Sequence, residues 1–245
     1  MSEKLTIPEI RRIWHQTAWI DIPVAERVVS FAFPEFNDYP NIVRKRNIEL
    51  AKQITETGVL RLPTAEEMIY FLDTIYGVNA CVHSEEFKRV RDLFENGFYI
   101  FNRNFFLHEG VYVCRDINSI EENCNLGIDE LEAKLGEAEN YHGVRFNPET
   151  RVAFAPVETY SSTLAGDGFV LASFGPKVTE KLVTLSKKFG YQSTAWKDEI
   201  REINYSTISV LRKMSENPNL LKHSGLIFDG SSIGNSRASA FGVKK

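Results

Sequence analysis

The sequence predicts a mixed α+β fold: one domain over residues 1–245, mainly helical in its N-terminal part, with antiparallel strands and one or two packed helices in the middle and C-terminal part. Three observations carry that expectation. Between Asn41 and Glu95 apolar residues recur at helical spacing. After Gly97, segments rich in aromatic and β-branched residues alternate with turn sequences. No repeat of fixed period and no linker-like stretch divides the chain, which leaves only a soft boundary between residues 1–96 and 97–245.

The elements follow in order. Pro8, Pro23, Pro34 and Pro40 limit the first forty residues to short helices such as Val24–Phe33. Ile42, Val43, Ile48, Leu50, Ala51 and Ile54 then mark a helix that Gly58 stops. Past the short apolar segment Val59–Leu62, Thr64 and Glu67 have the spacing of a capping box, opening a helix over Ala65–Tyr76. Ser84 begins another, with Phe87, Val90, Leu93 and Phe94 as its apolar stripe. Phe98–Phe101 and Val111–Cys114 read as strands, with a polar bulge at Asn102-Arg103-Asn104 and a loop containing His108-Glu109-Gly110 between them. Ile128–Leu135 is a short acidic helix, and Asn147-Pro148-Glu149-Thr150 is the turn of a hairpin between Val144–Phe146 and Val152–Ala155. Phe169–Phe174 has the composition of a buried strand, entered through a tight turn at Gly166-Asp167-Gly168. Pro176 stands at the first position of a helix running to Phe189. Leu226–Phe228 and Ala238–Val243 complete the strands.

Composition narrows the function classes. With 43% hydrophobic, 12% aromatic and 25% charged residues the chain has the apolar mass of a soluble globular domain, which excludes collagen-like and disordered classes. A net charge of -4 disfavours general nucleic-acid binding, since phosphate neutralisation needs a basic surface. The start of the chain has no apolar core of a signal peptide, and no apolar run approaches the ~18 residues of a membrane helix. Three cysteines, Cys81, Cys114 and Cys124, are an odd number for a secreted disulfide framework. Together these predict a cytoplasmic protein that does not engage a membrane.

Several motifs carry partial chemistry. Gly230-Ser231-Ser232-Ile233-Gly234 spells a nucleophile elbow, but neither a histidine nor an acid follows it, so the required order of partners fails. What remains is a Gly/Ser turn whose backbone amides, with Ser231, Ser232, Asn235 and Arg237, form a candidate anion-binding site. His83-Ser84-Glu85 spells part of a zinc deaminase site without the C-x-x-C that would complete the tetrahedron. Cys81 and His83 could supply two metal ligands, with Cys114, Cys124 or His108 brought in by folding, but nothing in the spacing requires it, and the sequence predicts no metal and no cofactor. Phe98-Tyr99-Ile100-Phe101-Asn102-Arg103-Asn104-Phe105-Phe106 interleaves aromatics with arginine but departs from the pattern of base-stacking RNA-recognition strands. His108, Glu109, Arg115 and Asp116 form the constellation with the most chemistry: a loop histidine beside a carboxylate for acid–base work, and an Arg-Asp pair to orient a polar substrate.

Arg61-Leu62-Pro63-Thr64-Ala65-Glu66-Glu67 resembles the R-L-P-T-x-x-E segment of formylglycine-generating-enzyme-like and related C-type-lectin-like proteins, and Ser236 to Val243 is similar to that family's closing strand. The resemblance covers about ten residues well. It implies a helix opened by this segment and packed on a small twisted sheet. Met68 stands where the family commonly has tryptophan, and the tail lacks paired cysteines, so neither oxidase chemistry nor any functional residue carries over. With every catalytic motif incomplete, the sequence predicts a non-catalytic protein that binds a small molecule or a protein partner. A metal-independent enzyme using His108, Glu109, Arg115 and Asp116 is the alternative.

Overall fold

The computed structural model describes residues 9–12, 18–33, 46–77, 84–118, 126–189, 194–196, 206–214, 225–230 and 238–245. They form an α+β fold with two sheets.

The first sheet begins where helix was expected. Strands β1 (Glu9–Arg12), β2 (Ala18–Val24) and β3 (Arg27–Phe33) make an antiparallel meander, with Ala25 and Glu26 as the turn between the last two. The predicted helix Val24–Phe33 is therefore corrected to a hairpin. Ile20, Ile22 and Val24 alternate along β2, and Val29 and Phe31 along β3, all buried. Pro23 is tolerated because β1 pairs with β2 only up to Asp21, leaving Pro23 with a strand on one side.

Helix α1 (Arg46–Glu56) then leads to the short strand β4 (Leu60–Arg61) and helix α2 (Ala65–Gly77). The capping box forms as the sequence requires: the Glu67 N–H donates to Thr64 Oγ1 (3.1 Å), and the Thr64 N–H donates to the Glu67 carboxylate (2.9 Å). Helix α3 (Glu85–Phe94) carries its N-cap at Ser84.

The second sheet is built around β5 (Phe98–Leu107), the longest strand described, and β6 (Gly110–Cys114). Helix α4 (Ile128–Leu135), strands β7 (Glu139–Tyr141), β8 (Val144–Asn147) and β9 (Val152–Pro156), helices α5 (Gly168–Phe174) and α6 (Pro176–Ser186), and strands β10 (Thr194–Trp196), β11 (Ser206–Met214) and β12 (Gly225–Asp229) follow. The strand order is β10-β12-β11-β5-β6-β9-β8-β7, antiparallel except for β10 beside β12. The expected irregularity in β5 is present: its pairing with β11 shifts register between Ile208 and Ser209. Last, β13 (Val243–Lys244) joins β3 to β4, so the expected strand Ala238–Val243 is corrected to a two-residue strand preceded by isolated bridges.

Phe169–Phe174 is helical, not a strand. An apolar run this short fits a buried strand or a buried helix equally well. The decision lies at its ends, where Asp167 accepts the Val170 N–H at 3.0 Å as an N-cap and Gly175 stops the turn.

Core packing explains why β5 is buried along both faces. Phe98, Ile100 and Phe106 point into a cluster with α2, α5 and α6 that extends to Ile20 and Phe31 of the first sheet. Tyr99, Phe101 and Phe105 point into the opposite cluster with Leu131, Leu135, Leu50 and Ile54 of α4 and α1. At the junction of the two sheets Phe71 stacks on Phe31 with ring centroids 4.5 Å apart and meets Phe241 edge-on at 5.0 Å.

Candidate functional site

Strand β6 separates the four residues that the sequence places together. His108 and Glu109 form the exposed two-residue turn between β5 and β6, where Leu107 pairs with Gly110. Arg115 and Asp116 leave the other end of β6. At about 3.4 Å per residue the strand alone sets them roughly 17 Å apart, so no shared acid–base cluster forms. This corrects the expected constellation, and each half lies near a different concavity. Ser231, Ser232, Asn235 and Arg237, the candidate anion site, lie outside the described residues, as do Cys81, His83 and Cys124. Cys114 is buried.

The first concavity, a cleft of about 250 Å³, is lined by Arg27, Arg61, Thr64, Glu67, Asp116 and Arg151 among others. Its floor is the R-L-P-T-x-x-E segment. Glu67 is 0% exposed; its carboxylate takes Arg61 in a bidentate pair (2.6 and 2.7 Å), Arg27 at 2.9 Å and the Thr64 N–H. Burial pushes this carboxyl up, but the two arginines and the cap N–H together outweigh it and hold it below the ordinary carboxylate range. Asp116 sits at positive φ (51°), held by its own N–H donating to Asn102 Oδ1, and its carboxylate accepts the Ala65 N–H at 2.7 Å. It thus caps the start of α2 from across the chain. Burial raises the Asp116 carboxyl above its usual value despite the Ala65 N–H, Arg115 and Arg151. Arg115 points the other way, with its guanidinium 5.6 Å from the Phe146 ring, and burial lowers its pKa.

The second concavity is larger, about 540 Å³, and lies near the His108–Glu109 turn, whose Glu109 carbonyl accepts the Val157 N–H. It is lined by Tyr141 and His142 of the β7–β8 turn, Glu158, Thr159 and Tyr160 around the 3-10 turn Val157–Thr159, and Asp167, Gly168, Leu171, Pro176, Thr179 and Glu180 of α5 and α6. Two local features hold these walls. Asp167 caps α5 and also accepts the Ser161 N–H at 2.8 Å, tying the preceding loop to the helix. Gly168 lies so close to Thr159 that a β-carbon there would collide with the Thr159 side chain. Thr179 is 6% exposed, and among the described residues its hydroxyl finds no hydrogen-bond partner. Burial pushes the Tyr160 phenol up, so it stays neutral.

Sequence reasoning missed Tyr160, Thr179 and Glu180. The usable signal was Asp167 three residues before Val170, an N-cap spacing that would have turned the following run into a helix and its flanks into walls. Among the described residues no group of three or more His, Cys, Asp or Glu could hold a metal ion, and no helix is long and apolar enough to cross a membrane. No family model matches the chain, and neither the curated proteins nor the solved structures compared with it give a match.

Proposed function

We propose that this protein binds a small ligand without transforming it, and that the ligand sits in the 540 Å³ cavity between the β7–β8 turn and the start of α6. The volume falls in the range of small-molecule sites, and the mix of rings and a few polar groups is of the right kind. The observation that carries the reading is the cavity itself: the rings of Tyr141 and Tyr160 beside Glu158 and Glu180, on a wall that Gly168 packs tightly against Thr159. The non-catalytic part is supported by β6, which keeps His108 and Glu109 from Arg115 and Asp116. A cytoplasmic location belongs to the same proposal and is supported by the odd count of three cysteines.

The test is a thermal-shift screen across nucleotides, sugars, metals, organic acids and amines, run on the parent and on Leu171→Trp, which fills the cavity from its α5 wall. A ligand at a hundredfold its Kd adds about 2.7 kcal/mol of stability. The substitution keeps a cooperative urea transition and weakens binding by occupying the ligand's space. A hit bound equally well by Leu171→Trp contradicts this siting.

A second reading, a metal-independent enzyme, keeps one observation: the raised Asp116 carboxyl in a cleft with Arg27, Arg61 and Arg151. Its working residues would be Asp116 and the arginines, without His108 or Glu109. Turnover of an anionic substrate that Asp116→Asn abolishes while the fold persists would favour it over the binding reading.

A further inference from the structure

We propose that the 250 Å³ cleft beside Asp116 is a docking point for a protein partner, which inserts the carboxylate of one aspartate or glutamate side chain among Arg27, Arg61 and Arg151. This is a second site, and it stands or falls independently of a ligand in the larger cavity.

Charge comes first. The two carboxylates of the cleft are turned to their own chain: Glu67 accepts from Arg61, Arg27 and the Thr64 N–H, and Asp116 accepts the Ala65 N–H. The guanidinium groups are not used up in return. Arg27 spends one nitrogen on Glu67 and is 57% exposed. Arg151 is exposed, and among the described residues its side chain makes one hydrogen bond, a long one of 3.5 Å to the Asp116 carbonyl. Arg115, whose charge also reaches Asp116, forms neither an ion pair nor a side-chain hydrogen bond among the described residues. Four arginines therefore share two carboxylates, and the start of α2 at Thr64 adds the positive end of the helix dipole. This local excess of positive charge, in a chain of net charge -4, draws in an anion.

Size and shape choose among anions. At about 250 Å³ the cleft lies below the roughly 300–1,000 Å³ of sites that enclose a whole small ligand, and it has room for one side chain. Carboxylate is the planar group that guanidinium nitrogens bind in pairs, and arginine is among the residues on which protein interfaces concentrate their binding energy. Leu62, Pro63 and Ile117 add apolar lining for the methylene groups of the entering side chain. The walls are set beforehand. Asp116 and Arg151 both hold a positive φ, 51° and 59°, an uncommon backbone for arginine, and the Arg115 N–H donates to the Arg151 carbonyl at 2.9 Å. A wall already ordered loses little freedom on docking. A nucleic acid, with a phosphate on every nucleotide, needs a basic surface well beyond one cleft, and the acidic balance of the chain opposes it.

The experiment titrates the isotope-labelled full chain with an end-blocked tetraglutamate peptide, against end-blocked tetraglutamine, inorganic phosphate and a thymidine pentanucleotide, following backbone and arginine Nε–H resonances by NMR. The expected result is saturable shifts with tetraglutamate at Arg27, Arg61 and Arg151 and along residues 61–67 and 116–118, and none with tetraglutamine. The double variant Arg27→Gln/Arg151→Gln weakens tetraglutamate binding about tenfold or more. It moves the melting temperature by less than about 3 °C, because both side chains are exposed. Lys177→Gln/Lys187→Gln removes the same charge from two exposed lysines outside the cleft and leaves binding unchanged. Tetraglutamate that shifts nothing in the cleft overturns the proposal, as does binding that the lysine pair weakens as much as the arginine pair. Phosphate or the pentanucleotide bound in the cleft more tightly than the peptide overturns it in favour of a free anion or a nucleic acid. Shifts at residues 141–142, 158–168 and 176–180 report on the larger cavity separately.

Discussion

Glu67→Ala removes a fully buried carboxylate that four hydrogen bonds share, and the cost can be worked from the partners it leaves. The bidentate bond to Arg61 is the largest part. Arg61 is 33% exposed and can turn its freed guanidinium toward water, which brings the loss below the ~3–5 kcal/mol of a fully buried broken pair, to about 2 kcal/mol. Arg27 is 57% exposed, so its bond contributes under ~0.5 kcal/mol. The Thr64 N–H loses its acceptor and the α2 capping box opens, for about 1 kcal/mol. The sum is roughly 3 kcal/mol, which in a chain of 245 residues lowers the melting temperature by about 6–12 °C. Urea denaturation followed by circular dichroism, with the m-value checked for constancy, measures it directly. A change below about 0.5 kcal/mol would refute the reasoning, since it would mean that neither the ion pair nor the cap stabilises the junction of β4 and α2.

The same carboxylate sets a pH dependence. Because the folded protein holds Glu67 below its unfolded value of 4.5, its contribution is complete above that pH and is lost as pH falls through the folded value. The stability gap between the parent and Glu67→Gln is therefore full at pH 7 and narrows below pH 4.5, whereas a gap constant down to the acid transition would show Glu67 to be unperturbed. Asp116 has the opposite sign: burial raises its carboxyl above 3.8, so its ionisation costs stability as pH rises past that value, and Asp116→Asn flattens this part of the profile. Asp167→Ala removes the α5 cap and the tie to Ser161, costing about 1–2 kcal/mol by urea denaturation and widening the cavity enough to weaken any ligand found there. Phe71→Ala empties the stack between Phe31 and Phe241 and costs about 3–5 kcal/mol; a loss near 1 kcal/mol would mean the two sheets do not depend on it.

Local signals were legible in the sequence and long-range ones were not. Thr64 with Glu67, Ser84, Pro176 and the Asn147 turn each act on the backbone within four residues, and each forms as expected. The β2–β3 hairpin was hidden by Pro23, because proline breaks a strand only where the neighbour on its nitrogen side needs an N–H, and beyond Asp21 β2 has a neighbour on one side alone. Phe169–Phe174 was ambiguous in length and composition, and Asp167 decided it. In the site, His108-Glu109 and Arg115-Asp116 are close in sequence and apart in space, because the strand between Glu109 and Arg115 is a spacer. Asp116 does share a cleft with Arg61 and Glu67, and it is held there by the Ala65 N–H from 51 residues away, a pairing no local pattern encodes.

A crystal structure of the full chain with the strongest ligand from the screen tests the central claim most directly. The account places the ligand among Tyr141, Tyr160, Leu171 and Glu180. A ligand held instead by Arg27, Arg61 and Arg151 beside Asp116 would contradict it.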